Sequence, residues 1–349
     1  MQTTIVILVV LLGTLALPVL AGAVYQAIET LRDRRRFPPP GRLVRFNKRR
    51  MHIHITGEGT PTVVFESGMG ASCLSWTLVQ SQVAQFSRAV SYDRAGHGWS
   101  DPAPEPRTAR QIALELNTLL NATGLQGPYV LVGHSFGGYV NRAFAHLYRD
   151  RVAGVVLVDS VHPAEWKKPT AEQLRMIGAG LRYAWIVAWL ARLGFVRFCL
   201  ARLARGSPGL GRVAANAFGV GTASAVQRIA GEIRKLPPPI VPVVRALWSQ
   251  PENFMSLGKH VAALPVSAAQ AAAMSSLGDL PLVVLSGDHH AEQSMDWQRE
   301  LAQLSSQGRH VVASNSGHWI HLDHPEVVAS AIRDVVTAAR SAAQLKVSA

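Results

Sequence analysis

Cysteine is almost missing from this chain. Its 349 residues hold two, Cys73 and Cys199, too far apart in sequence to form a metal-binding or redox pair. They read as free thiols, which suits a reducing compartment. Charge is also sparse: 16% of residues are charged against 48% hydrophobic, so composition permits a large buried core. Acid is the scarcer sign, with 22 Asp and Glu against 35 Lys and Arg and a formal net charge of +13. That balance fits an anionic partner, either nucleic acid or membrane. No zinc-finger spacing and no aromatic RNA-binding signature is present, so a nucleic-acid partner is not expected. His289-His290 lacks the ligand spacing of a metal site, and no metal or other cofactor is expected. There is no internal repeat, and no low-complexity segment beyond the Ala-rich stretch 268–273.

Charge is wholly lacking before Glu29. Residues 5–24 form an apolar run broken only by Gly, Thr and Pro18, long enough to span a hydrocarbon core as a helix. Arg32, Arg34, Arg35 and Arg36 follow directly, and Arg beside a span tends to stay on the cytoplasmic side. The expectation is a single-pass anchor over residues 1–36, with the catalytic domain in the cytoplasm. The rival is a cleaved signal peptide ending at Ala21-Gly22-Ala23 and a secreted product. A signal peptide wants a positive segment before its apolar run, and Met1-Gln2-Thr3-Thr4 supplies none. Pro38-Pro39-Pro40 reads as a linker, and the core pattern begins near Leu43, so residues 1–36 read as a tether dispensable to the folded part.

Past the linker, short β runs alternate with helical stretches. Residues 43–46 and 52–55 flank a hairpin turn. Further strands are expected at 63–65, 89–93, 129–132, 155–158, 282–285 and 310–313. Helices are expected at 76–86, from a Thr108/Gln111 capping box to Gly124, at 136–148, and from Pro325 with Asp323 and Glu326 at its start. Such alternation with near-continuous apolar strands argues for an α/β fold, a mostly parallel sheet covered by helices on both faces. The alternation stops between residues 163 and 279, which read as a helical cap insertion. The core is then split into 37–162 and 280–349. Within the insertion, residues 183–205 are apolar and aromatic with interspersed Arg. They read as cap helices or as an interfacial helix on anionic headgroups, and a largely apolar pocket is expected beneath.

Residues 133–137 read Gly-His-Ser-Phe-Gly, a G-x-S-x-G that follows a strand and opens a helix. Small residues on both sides let strand and helix approach, and the Ser hydroxyl stands at the top of the sheet. Here the chain resembles the α/β-hydrolase family over roughly residues 42–340. The resemblance implies Ser135 as nucleophile and His318, in Ser316-Gly317-His318 after the last strand, as general base. Gly68-Met69-Gly70 matches the family's oxyanion loop, although Ser67 stands where a His is frequent. The implied oxyanion donors are the backbone N–H groups of Met69 and Phe136. Residues 93–100 resemble the family's D-x-x-G-x-G-x-S turn and read as structural, with His97 available to line a pocket mouth. His321 and His324 read as surface residues.

The triad acid is less plain. The family commonly carries it three residues past a Gly after the strand at 282–285, and that position here is His290. Asp288 is one residue past Gly287. The alternative is Asp159, at the carboxyl end of the apolar run 152–158, where some haloalkane dehalogenases of similar R-V-x-G sequence carry theirs. Asp159 is preferred over Asp288. A Ser at the elbow argues against dehalogenase or epoxide hydrolase chemistry, which uses Asp there. What remains is hydrolysis of an acyl ester, thioester or amide of a small, apolar acyl substrate through an acyl-enzyme. Acyl transfer to an alcohol and a non-catalytic binding role are the alternatives.

Overall fold

The computed structural model describes residues 2–46, 48–204, 233–288 and 290–348. Its centre is an eight-stranded sheet in the order β1-β2-β4-β3-β5-β6-β7-β8. The strands are β1 (Arg42–Phe46), β2 (Arg49–Thr56), β3 (Thr62–Glu66), β4 (Ala89–Tyr92), β5 (Tyr129–His134), β6 (Val152–Val158), β7 (Leu282–Gly287) and β8 (Gly308–Ala313). β1 and β2 form the expected hairpin, and β2 pairs antiparallel with β4. From β4 to β8 every pairing is parallel. This is the α/β-hydrolase fold.

Each central strand divides its side chains between two cores, as the two-residue period of a strand requires. On β5, Tyr129 and Leu131 face one core while Val130 and Val132 face the other. On β6, Val155 and Leu157 join the first core, and Val156 and Val158 the second. The first core is closed by the helices Ala109–Ala122 and Gly137–Leu147 through Ile112, Leu116, Tyr139 and Phe144. The second is closed by Trp76, Val79 and the last helix, Pro325–Ser348, through Val328, Ile332 and Val336. Burying one such side chain contributes roughly 1.5–3 kcal/mol, so the central strands are the firmest base available for a site at their carboxyl ends. Thr108 caps its helix by accepting from the Gln111 amide at 3.3 Å, but the Gln111 side chain turns to Glu115 instead of closing a capping box.

By internal contacts the chain divides into two units, 39–181 with 256–349, and 1–38 with 182–255. The sheet unit includes the helix Leu264–Ala273, within the stretch expected to be an insertion. There Ala109 N–H donates to Ser267 Oγ at 3.0 Å, and Arg142 donates to the Met274 carbonyl at 2.8 Å.

In the other unit one helix, Gln2–Arg36, runs through Pro18 and the basic flank without a break. It is no tether. Gln26 donates to the Ser249 carbonyl at 3.0 Å and accepts from Arg197 at 2.9 Å, and Arg197 also pairs with Asp33. Polar side chains beside the basic flank make these contacts, which a reading of its charge alone overlooks. The side chains of residues 6–13, central to the apolar run, and Arg205 lie outside the described residues. Among the described residues no single helix is long and apolar enough to cross a membrane. One pair, Ala171–Arg192 with Phe195–Arg202, bent by 88°, passes by length and composition together.

Candidate active site

The elbow is held by close packing that only glycine permits. A Cβ on Gly133 would lie 2.6 Å from Asn141 Nδ2, and one on Gly137 would lie 2.6 Å from the Glu66 carbonyl oxygen. Between them Ser135 takes φ +54°, left-handed backbone that non-glycine residues adopt at a cost of about 1–3 kcal/mol. Its N–H continues the sheet pattern, donating to the Val158 carbonyl at 3.0 Å on β6. Asp159, with φ +46°, does the same one strand further on, donating to the Leu285 carbonyl at 2.7 Å. Ser135 and Asp159 therefore occupy equivalent corners at the ends of neighbouring strands.

Asp159 reaches the imidazole of His318. Its Oδ2 accepts from His318 Nδ1 at 2.6 Å. Oδ1 accepts from His290 Nε2 at 2.6 Å and from the Gly287 N–H at 3.1 Å. Burial alone would raise this carboxyl, but the hydrogen bonds and charges of His290 and His318 outweigh it and hold its pKa at about 2. With Nδ1 committed to Asp159, Nε2 of His318 is the nitrogen left for a hydroxyl proton.

Asp288 serves another end. Its Oδ2 accepts from the Asn315 N–H at 2.7 Å. Asp323, expected at the start of the last helix, instead accepts from the Gly317 N–H at 3.0 Å and from Ser316 Oγ at 3.1 Å. The two carboxylates pin the loop that carries His318 from either side. His134, the residue before Ser135, braces it from below: its Nε2–H donates to the His318 carbonyl at 2.9 Å, and the two rings lie 4.6 Å apart. Burial, with His321 and His318 alongside, pushes the His134 pKa well below the usual histidine range.

His321 is not on the surface. It is fully buried, 4.4 Å from the His134 ring and 4.7 Å from the Trp76 ring, and burial lowers its pKa to about 3. The expectation failed because the short helix Ile320–Asp323 turns this residue toward the core. His324 is partly exposed, beside Glu326 at 3.2 Å. His97 is buried too, its Nε2 3.4 Å from His260 Nδ1.

Behind the candidate oxyanion loop lies a buried charged cluster that the motifs do not announce. Arg94 Nε donates to Glu66 at 2.7 Å, and Tyr92 O–H donates to the same carboxylate. Arg94 also donates to the carbonyls of Ser67 and Gly68, and its guanidinium stands 5.2 Å from the Phe136 ring centre. These bonds hold the carbonyls of the loop against the guanidinium. Among the described residues, neither the Met69 nor the Phe136 N–H has an acceptor.

Asp93 anchors the glycine turn. Its oxygens accept from Cys73 N–H at 2.8 Å, Trp99 N–H at 3.1 Å and His52 Nδ1 at 2.8 Å. The His52, Cys73 and Asp93 side chains would be near enough to share a cation, but these hydrogen bonds already occupy the carboxylate. His289, half of the sequence's His pair, lies outside the described residues.

The model of the alpha/beta hydrolase family matches residues 63–331, and the chain belongs to that family. Among curated proteins it is 26% identical over 292 residues to the uncharacterized protein YqjL of Bacillus subtilis, covering 82% of this chain and 87% of that one. It is 38% identical over 104 residues to an AB hydrolase superfamily protein of Gibberella zeae, covering 29% and 32%. Similar solved structures include a thermophilic esterase from Thermogutta terrifontis, with 23% identity, TM-score 0.56, and 85% and 98% of the two chains covered. An ancestral haloalkane dehalogenase gives 18% identity, TM-score 0.64, and 86% and 99% coverage. At these identities the structural likeness speaks for the fold.

Proposed function

We propose that this chain is a serine hydrolase that cleaves an acyl ester, thioester or amide through an acyl-enzyme on Ser135. The observation that carries this reading is the 2.6 Å hydrogen bond joining His318 Nδ1 to Asp159, on a loop braced by the residue next to Ser135. His318 Nε2 takes the Ser135 proton as Oγ attacks the acyl carbon. The carbonyl π pair moves onto oxygen, where the Met69 and Phe136 N–H groups meet it. Such a donor contributes roughly 3 kcal/mol because it acts where charge develops. His318 then gives its proton to the leaving group, and water repeats the cycle to release the acid. The Ser at the elbow favours acyl chemistry over the dehalogenase and epoxide hydrolase reactions found elsewhere on this fold. The apolar, aromatic make-up of residues 183–204 supports a hydrophobic acyl group. The same proposal includes anchorage at a membrane by the N-terminal apolar run with its basic flank, the folded part being cytoplasmic.

Ser135→Ala abolishes both fluorophosphonate labelling and hydrolysis of a model ester, with an unchanged circular dichroism spectrum. Substantial labelling of that variant removes Ser135 as nucleophile.

A further inference from the structure

The Asp159 carboxylate is shared between two imidazoles. His318 donates to Oδ2, and His290 donates to Oδ1 beside the Gly287 N–H. An ionised carboxylate only accepts, so each ring carries a proton on the nitrogen facing it. Two donors on Oδ1, one of them backbone, leave the carboxylate little freedom to rotate about its own axis.

We propose that His290 is a positioning residue: it fixes the plane of the Asp159 carboxylate, and its own protonation divides that carboxylate's charge between itself and His318. The inference rests on the Ser135–His318–Asp159 reading given above. The groups facing His290 come from four places. Asp159 lies at the end of β6, and Glu165 lies on the short helix Pro163–Glu165. His310 lies on β8, and His318 shares the carboxylate from the loop beyond. The hydrogen bond to Asp159 raises the pKa of His290 against the opposing effect of burial, with the charges of Asp159 and Glu165 adding to the rise. His310 opposes it as a like charge when both are protonated, with Arg299 nearby. As pH falls, His290 therefore gains its second proton earlier than an ordinary imidazole does. The resulting imidazolium draws on the Asp159 charge and leaves less of it to the bond with His318. Two coupled ionisations then shape the acid limb of the rate profile in place of one.

The test is the pH dependence of kcat and KM on a soluble model ester for the full chain, His290→Ala and His290→Gln, with thermal melts of each. His290→Ala lowers kcat about tenfold, the worth of one charge-assisted hydrogen bond, and leaves KM nearly unchanged. His290→Gln keeps a neutral donor and restores most of kcat. The wild-type acid limb fits two ionisations, and both variants fit one. Should His290→Ala fail to fold, the Gln variant decides through its profile. A wild-type limb with one ionisation, or variants whose profiles match it in shape, overturns the proposal. A loss confined to melting temperature overturns it as well, since that marks a merely structural role. Ser135→Ala in the same assay separates the two failures: turnover by that variant sinks the triad itself, whereas an inactive Ser135→Ala with unaltered His290 profiles sinks only His290.

Discussion

At the residue scale the decisive assignment is between two aspartates only a loop apart from the same histidine. Asp159 points at His318 Nδ1, while Asp288 is spent on the Asn315 N–H. Asp159→Asn presents an amide whose N–H₂ faces the imidazole as easily as its oxygen does, so the wrong tautomer is stabilised. In a serine protease that substitution costs ~10⁴ in turnover. The expected outcome in steady-state ester hydrolysis is a loss of that order for Asp159→Asn and activity near wild type for Asp288→Asn, the reverse pattern reassigning the acid. Asp159 could be read from the sequence as a candidate because it follows an apolar strand, and the carboxyl ends of strands on a parallel sheet face the ligand. His290 and Arg94 were not legible as parts of the site. Their roles depend on which side chain meets them across the sheet, and no local pattern encodes that. The one signal for His290 was its place three residues past Gly287, where an acid was sought and a histidine stands.

Elements were read with uneven success for the same physical reason. The strands β3 to β7 declare themselves because both faces are buried and their sequences are almost wholly apolar. The helix Leu264–Ala273 carries no such mark of destination. Leu264, Ala268 and Ala271 join the first core, while its hydrogen bonds to Ala109 and Arg142 are made by Ser267 and a main-chain carbonyl, which composition does not flag. The N-terminal helix shows the converse. Its apolar run is plain in sequence, yet its C-terminal half is tied down by Gln26 and Asp33 to Ser249 and Arg197. A truncation after residue 36 therefore strips those groups of their partners. For the proposed anchor, four arginines between residues 32 and 36 set the orientation. In cells a reporter fused after Ala349 is expected to register the cytoplasm, and a periplasmic or extracellular signal reverses the assignment.

For the whole molecule, acid sensitivity follows from its buried imidazoles. His134, His260 and His321 are fully buried and have pKa values pushed below the ordinary 6.5, His321 to about 3. Below pH 6.5 the unfolded chain binds protons that the folded chain refuses, so stability falls as pH falls and recovers above 6.5. Each such group contributes a slope of up to about 1.4 kcal/mol per pH unit until its folded pKa is reached. Asp159 adds to this only lower down, between the usual carboxyl value and about 2, since its folded pKa is depressed. Neither ring nitrogen of His321 has a partner among the described residues, so an apolar ring of similar size forfeits no hydrogen bond there. His321→Phe is expected to melt no lower than wild type at neutral pH and to lose less stability on acidification. Parallel pH-dependent slopes in chemical denaturation of the two proteins count against this account.

The order of the parts along the chain has a consequence of its own. The proposed nucleophile, acid and both oxyanion donors all precede residue 163, whereas the proposed base and His290 follow residue 279. A single break anywhere between yields one fragment with a complete but unprompted hydroxyl and another with the proton acceptor alone. Those fragments meet along the β6–β7 edge, where Val155 pairs with Leu282 and Val158 with Leu285. The acid lies at the seam itself. Reassembly of that edge and restoration of chemistry are thus one event, which makes this architecture suited to a split reporter whose signal arises only when two halves are brought together.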